Sequence, residues 1–261
     1  MAAQTIKGAV FDMDGLMIDT EKLYLRFWKE SARDFGYDMK DEHVFAIRSM
    51  ARKYSIPKLK SFFGEDFPTE EVRAHRTELM NRYIEENGFD VKKGLFELLD
   101  YLKATGRKMA VATATPQERT KKYLSMIGAD GYFSAMICGD MVSSGKPDPE
   151  IYLTAVKELD LPPQECVAFE DSPNGIRSAY SAGCKAIMIP DMTQPESDIM
   201  PMLSAVYTSL DEAIAFFEGS GRAFPRFLKS PSTTTLRAAT TSRAARTTSH
   251  TKYTTATPLN A

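Results

Sequence analysis

Apolar residues in this chain follow two rhythms, and the change between them marks its layout. Ile6 to Phe11 is a short apolar-rich run, which predicts a buried strand. After Thr20-Glu21, apolar residues come at Tyr24, Phe27, Trp28, Ala32 and Phe35, the spacing of one helix face, and Gly36 stops it. Residues 40–67 predict further short helices carrying Arg48, Arg52, Lys53, Lys58 and Lys60. Another helix opens at Pro68-Thr69-Glu70-Glu71, carries Val72, Leu79, Met80, Tyr83 and Ile84, and closes at Gly88. No strand is predicted between Thr20 and Asn87, so residues 19–90 read as a helical insert.

From there strands and helices alternate. Leu95, Leu98, Leu99 and Leu102 mark a helix ending at Gly106, followed by a strand over Lys108–Thr113 and a helix over Gln117–Met126. Ala135–Cys138 predicts a strand, Glu150–Leu159 a helix and Cys166–Glu170 a strand. Ser172 caps a helix over Pro173–Ala182, closed by Gly183; Lys185–Pro190 is the last predicted strand and Leu210–Phe217 the last helix. Such alternation predicts an α/β fold, a parallel sheet covered on both faces, built from residues 1–18 and 91–218. Residues 219–261 are dominated by Ser, Thr, Ala and Arg without periodicity, and are expected to be a disordered tail.

Charge sharpens this division. The formal net charge is −2, yet no acidic residue follows Glu218, whereas seven Lys or Arg do. The body therefore carries 26 basic against 35 acidic residues. An acidic body suits neither nucleic acid nor an anionic membrane, so neither partner is expected. Cys138, Cys166 and Cys184 lack metal-type spacing and sit in or beside apolar runs, which reads as buried free thiols in a reducing compartment. The N-terminal apolar run is too short for a secretory signal, and no stretch approaches the roughly 20 apolar residues of a membrane span. The expected location is cytoplasmic.

The candidate chemistry lies at predicted strand ends. Asp12 and Asp14 follow the first strand and are two apart, so in extended chain they point to one side. Crowded carboxylates favour a shared cation, and Mg²⁺ prefers such oxygen donors; the plain alternative is a strand-to-turn junction built from turn formers. Thr113-Ala114-Thr115 places a hydroxyl and backbone N–H groups before a helix, which makes an anion site or, through Thr115, a simple N-cap. Lys146 stands between Gly145 and Pro147, on a stiff loop or simply solvated, and Glu170-Asp171-Ser172 brings a second acidic pair or a cap.

Taken together and in this order, Asp12-Met13-Asp14-Gly15, Thr113, Lys146 and Glu170-Asp171 resemble the four motifs of the haloacid dehalogenase-like (HAD) hydrolases. The resemblance spans about residues 4–218 and is nearest the β-phosphoglucomutase-like subfamily, in which a helical cap follows the first motif. It implies a Rossmann-like core with the insert at 19–90 as cap, and a phosphatase acting on a small phosphorylated metabolite. By that resemblance Asp12 is the nucleophile and Asp14 the acid and base. Asp12, the Asp14 carbonyl and Asp171 hold Mg²⁺, with Glu170 close behind. Thr113 and the Ala114 N–H hold phosphoryl oxygens, and Lys146 offsets charge. Arg48 and Arg52 are the cap residues expected to reach substrate, although surface charge alone would account for them. A monomer suits so small a cap.

Two rival readings remain at this point. Asp14 argues against dehalogenation, since dehalogenases resemble the pattern without that aspartate, and no motif supports a Schiff-base lysine among Lys53, Lys58 and Lys60. A phosphomutase is the nearer rival. Related mutases carry a histidine four residues after the threonine matching Thr20, where this chain has Tyr24, and that favours a phosphatase. A protein that binds phospho-ligands without turnover would be expected to lack Asp12 or Asp14.

Overall fold

The computed structural model of the protein describes residues 5–48 and 50–219. After strand β1 (Gly8–Phe11) come four helices, α1 (Glu21–Asp34), α2 (Asp41–Ile47), α3 (Arg52–Phe63) and α4 (Thr69–Asn87). The alternating part then follows: α5 (Leu95–Ala104), β2 (Lys108–Ala112), α6 (Gln117–Met126), β3 (Ala135–Ile137), α7 (Glu150–Glu158), β4 (Cys166–Glu170), α8 (Pro173–Ser181), β5 (Lys185–Met188), β6 (Leu203–Val206) and α9 (Ile214–Phe217). The predicted elements are present, with ends trimmed by one or two residues. The expected tail lies outside the described residues from Ser220 onward.

One correction concerns the end of the sheet. Lys185–Pro190 is not the last strand, because β6 adds a parallel sixth strand beside β5. Its four residues, Leu-Ser-Ala-Val, are too few to set up a period, so only pairing with β5 makes them a strand. The predicted last helix is likewise a 3₁₀ turn at Asp211–Ala213 running into the short α9.

All strand pairs are parallel, in the order β3-β2-β1-β4-β5-β6. Alternate residues serve opposite faces. Ala9, Phe11, Met109, Val111, Val167 and Phe169 join one core with α5, while Val10, Ala110, Ala112, Cys166 and Ala168 join the other with α7 and α8. Burial on both faces explains why these strands read as continuous apolar runs. The helical insert has a core of its own around Trp28, Ala32, Val44, Ile47, Leu59 and Val72. The fold is thus a Rossmann-like α/β core with an inserted all-helical cap domain. Among the described residues, no helix is long and apolar enough to cross a membrane.

The strand order sets the site. Chain direction across the sheet reverses between β1 and β4, and in open parallel sheets ligands bind beyond the carboxyl ends at such a point. Phe11 pairs with Phe169 in register, so the next residues, Asp12 and Glu170, emerge side by side.

Candidate active site

Asp12 is the first residue beyond β1 and is buried. Lys146, fully buried, donates to Asp12 Oδ1 at 2.5 Å and to the Ala112 carbonyl at 2.9 Å, and its ammonium lies 2.6 Å from Glu170 Oε1. Glu170 also accepts from the Tyr152 hydroxyl at 2.6 Å and from the Ser172 hydroxyl at 3.2 Å. Burial pulls the Lys146 ammonium down, but Asp12 and Glu170 outweigh it and hold the lysine above its ordinary value, so it stays charged. Burial pushes Asp12 well up; Lys146 opposes this, while Glu170 and Asp14 add to it.

Lys146 and Arg48, which pairs with Asp171, still leave one oxygen of this acidic group unpartnered. Asp12, Glu170 and Asp171 each place an oxygen within 4.8 Å of the others, and all three are buried. Asp171 Oδ1 is buried without a hydrogen-bond partner. An all-oxygen donor set with an orphaned buried carboxylate oxygen fits a hard divalent cation. The backbone comes close to these groups. A Cβ at Gly15, whose φ is +85°, would stand 2.2 Å from Asp171 Oδ2, and one at Gly175 would stand 2.0 Å from either Glu170 oxygen.

Asp14 is held separately. Thr20 Oγ1 donates to its Oδ1 at 2.6 Å and Thr115 Oγ1 to its Oδ2 at 2.7 Å. Thr115 therefore does not serve as the N-cap of α6, which has no side-chain cap bond. The Thr115 N–H instead donates to the Thr113 hydroxyl at 3.1 Å. Tyr24 does more than fill its helix face: the Arg76 guanidinium lies 4.7 Å from its ring centre, and its side chain borders the cavity together with Thr115 and Arg119. Burial, then the nearby Asp14 charge, pushes the phenol up, so it stays neutral.

Asp12, Asp14, Thr113 and Ala114 line the core side of a cavity of about 660 Å³, faced across it by Tyr24, Arg48 and Arg52 of the helical insert. Lys146, Glu170, Asp171 and Thr20 lie behind that surface, fully buried. Arg48 is buried, pairs with Asp171, and lies 3.1 Å from Glu21 Oε2. Arg52 points largely to solvent, 3.4 Å from Glu70. Sequence reasoning missed Glu21, Arg73, Arg76, Arg119 and Tyr152. Arg76 left a signal: it falls on the buried stripe Val72, Arg76, Met80, Ile84 of α4, where an apolar residue is the ordinary choice.

A family model described as "Haloacid dehalogenase-like hydrolase" matches residues 9–189, from the first strand to just past the fifth. The chain belongs to the haloacid dehalogenase-like hydrolase family. A "Phosphorylated carbohydrates phosphatase" of Thermotoga maritima is 32% identical over 187 residues, covering 70% of this chain and 84% of that protein. A "Beta-phosphoglucomutase" of Bacillus subtilis is 28% identical over 190 residues, covering 70% and 82%. The crystal structure of CbbY from Rhodobacter sphaeroides in complex with phosphate superposes with a TM-score of 0.68 at 27% identity, covering 80% of this chain and 96% of that one. This HAD-like hydrolase is an enzyme, a phosphoric monoester hydrolase.

Proposed function

We propose that this hydrolase is a Mg²⁺-dependent phosphatase that releases inorganic phosphate from small phosphorylated sugars or nucleotide-type monoesters through an aspartyl-phosphate on Asp12. The observation that carries the reading is the placement of Asp12. It faces the cavity, is held from behind by Lys146, and stands beside an Asp14 fixed by two threonines. The preference for sugar phosphates rests on the relatives whose names specify phosphorylated carbohydrates and hexitol phosphates.

An Asp12 oxygen forms a bond to phosphorus while the bond from phosphorus to the ester oxygen breaks. Asp14 gives a proton to that leaving oxygen. It then takes a proton from water, whose oxygen attacks the phosphorus of the aspartyl-phosphate and releases phosphate and free Asp12. Lys146 holds the Asp12 carboxylate against Glu170 and offsets negative charge as it builds. The Thr113 hydroxyl and the Ala114 N–H receive the phosphoryl oxygens. Asp12, the Asp14 carbonyl and Asp171 would hold Mg²⁺, with Glu170 beside them. Bound there, the ion offsets the charge of the phosphoryl group and of the attacking carboxylate.

Residues 19–90 act as the cap that closes over this chemistry and excludes water. Supporting that division, the two crossing segments bond to each other: Asp19 N–H donates to the Asp90 carbonyl at 2.8 Å and Lys92 N–H to the Met17 carbonyl at 2.9 Å. Cap and core also meet at the site, where Asn174 donates to the Arg48 carbonyl at 2.8 Å.

The test is phosphate release from a panel of phosphorylated metabolites, with Mg²⁺ and with EDTA, alongside conversion of β-glucose 1-phosphate to glucose 6-phosphate. Metal-dependent release that vanishes in Asp12→Asn is the expected result. Isomerisation without release would replace the phosphatase with a mutase.

A further inference from the structure

Tyr152 carries a hydroxyl into an apolar core. It lies on α7 beside Ile151, Ala155 and Val156, in the buried cluster that also holds Val10 of β1 and Ala168 of β4. The residue is fully enclosed. Phenylalanine would fill the same space, and a buried hydroxyl is costly unless it is bonded. This one donates to Glu170 Oε1 at 2.6 Å. The chemistry above makes no use of it.

The donors and acceptors around that oxygen can be assigned in full. An ammonium has three N–H bonds, and Lys146 faces three acceptors: Asp12 Oδ1 at 2.5 Å, the Ala112 carbonyl at 2.9 Å and Glu170 Oε1 at 2.6 Å. Glu170 Oε2 accepts from the Ser172 hydroxyl at 3.2 Å and from the Asp171 N–H at 3.3 Å. Oε1 takes the remaining donors, Lys146 and Tyr152. Both arrive from one stretch of chain, since the loop that carries Lys146 runs directly into α7. The ammonium also stands 5.3 Å from the Tyr152 ring centre, a cation–π distance. Ring and hydroxyl therefore bear on the same ion pair.

Lys146 is shared between two carboxylates, so what one gains in closeness the other loses. A phenol hydroxyl on Oε1 takes up part of the Glu170 charge and leaves the ammonium as near to Asp12 as to Glu170. Without that donor, Oε1 keeps an unfilled lone pair away from water, and its attraction for the ammonium grows.

We propose that Tyr152 is a positioning residue for the reaction: its hydroxyl, acting through Glu170, keeps the Lys146 ammonium on the Asp12 nucleophile. It touches neither the substrate nor the reacting atoms. The inference rests on the reading of Asp12 as nucleophile.

The experiment uses the full-length enzyme and Tyr152→Phe, which keeps the ring beside Lys146 and removes only the hydroxyl. With p-nitrophenyl phosphate and excess Mg²⁺, kcat falls about tenfold or more, the low end for a hydrogen bond to a charged group, while KM stays within about twofold. In Glu170→Gln, adding Tyr152→Phe lowers kcat by less than about twofold further, because the hydroxyl then serves no charge. At position 152, 4-aminophenylalanine restores a donor and most of the rate, whereas 4-fluorophenylalanine fills the space without one and does not. That pair decides the matter if Tyr152→Phe misfolds. A kcat within about threefold of the parent overturns the proposal, as does an undiminished loss in the Glu170→Gln background. Nitrogen-15 NMR of the Lys146 side chain reads the same redistribution without turnover: in Tyr152→Phe the ammonium signal moves and its protons exchange faster. A moved signal with no phosphate release by the parent would keep the hold on Lys146 and remove the phosphatase reading. Phosphate release with rate and signal unchanged in the variant would remove the positioning role alone.

Discussion

Lys146 and Asp12 lie 134 residues apart in the chain and meet in a buried ion pair 2.5 Å long. The same ammonium touches Glu170 at 2.6 Å, so one cation holds two carboxylates together inside the protein. Removing it strands both. Lys146→Met is expected to cost about 3–5 kcal/mol of stability, the range for breaking a buried pair from one side. It should also abolish turnover. Urea unfolding checks the first and phosphate release the second; a variant as stable as the parent would show the lysine to be dispensable to the fold.

The two threonine hydroxyls on Asp14 are expected to act on rate. A hydrogen bond to a charged group contributes about 1.5–3 kcal/mol, which corresponds to about 10- to 100-fold in kcat. Thr20→Val and Thr115→Val should each fall in that range, and Thr115→Ser should recover most of the loss. Unchanged kinetics in both valine variants would detach these hydroxyls from catalysis.

Gly175 is required by space. Its added Cβ would fall 1.9 Å from the Glu170 carboxyl carbon, and both residues are buried. Gly175→Ala should therefore destabilise by about 1–3 kcal/mol, as overpacking does, and raise the Mg²⁺ concentration needed for half-maximal activity. Gly131→Ala, where nothing lies within 4 Å, is the matched control and should change neither.

Alkaline pH should weaken the fold through its thiols. Cys138, Cys166 and Cys184 are buried and free; burial pushes Cys184 up to about 12 and Cys166 to about 11. An unfolded thiol titrates near 8.5, so above that pH the unfolded chain releases protons that the folded chain keeps. Stability is then intact below about pH 8.5 and falls as pH rises toward the folded values, by about 1.4 kcal/mol per pH unit per thiol. Urea unfolding at pH 8 and pH 10 measures the slope, and Cys184→Ala should flatten it. Ellman's reagent should find no reactive thiol in the native protein at pH 8.

The sequence by itself determined the local elements and the positions of the motif residues. Apolar runs and helical spacing are properties of neighbouring residues, so β1, α1, α4 and the alternating half were legible, as were Asp12, Asp14, Thr113, Lys146 and the Glu170-Asp171 pair. Resemblance gave those motifs their order and chemistry. Tertiary structure decided what depends on distant partners. β6 exists because β5 offers it an edge. Thr115 turned from a possible cap into a donor to Asp14, 101 residues away. Tyr24, legible as a helix-face residue, became part of the cavity wall with Arg76 and Arg119, and Arg48, legible as surface charge, became a buried partner of Asp171. The physical reason is common to all four. Backbone pattern is set by residues a few positions apart, whereas the charge state, hydrogen bonds and burial of a side chain are set by whatever the fold brings within a few ångströms of it.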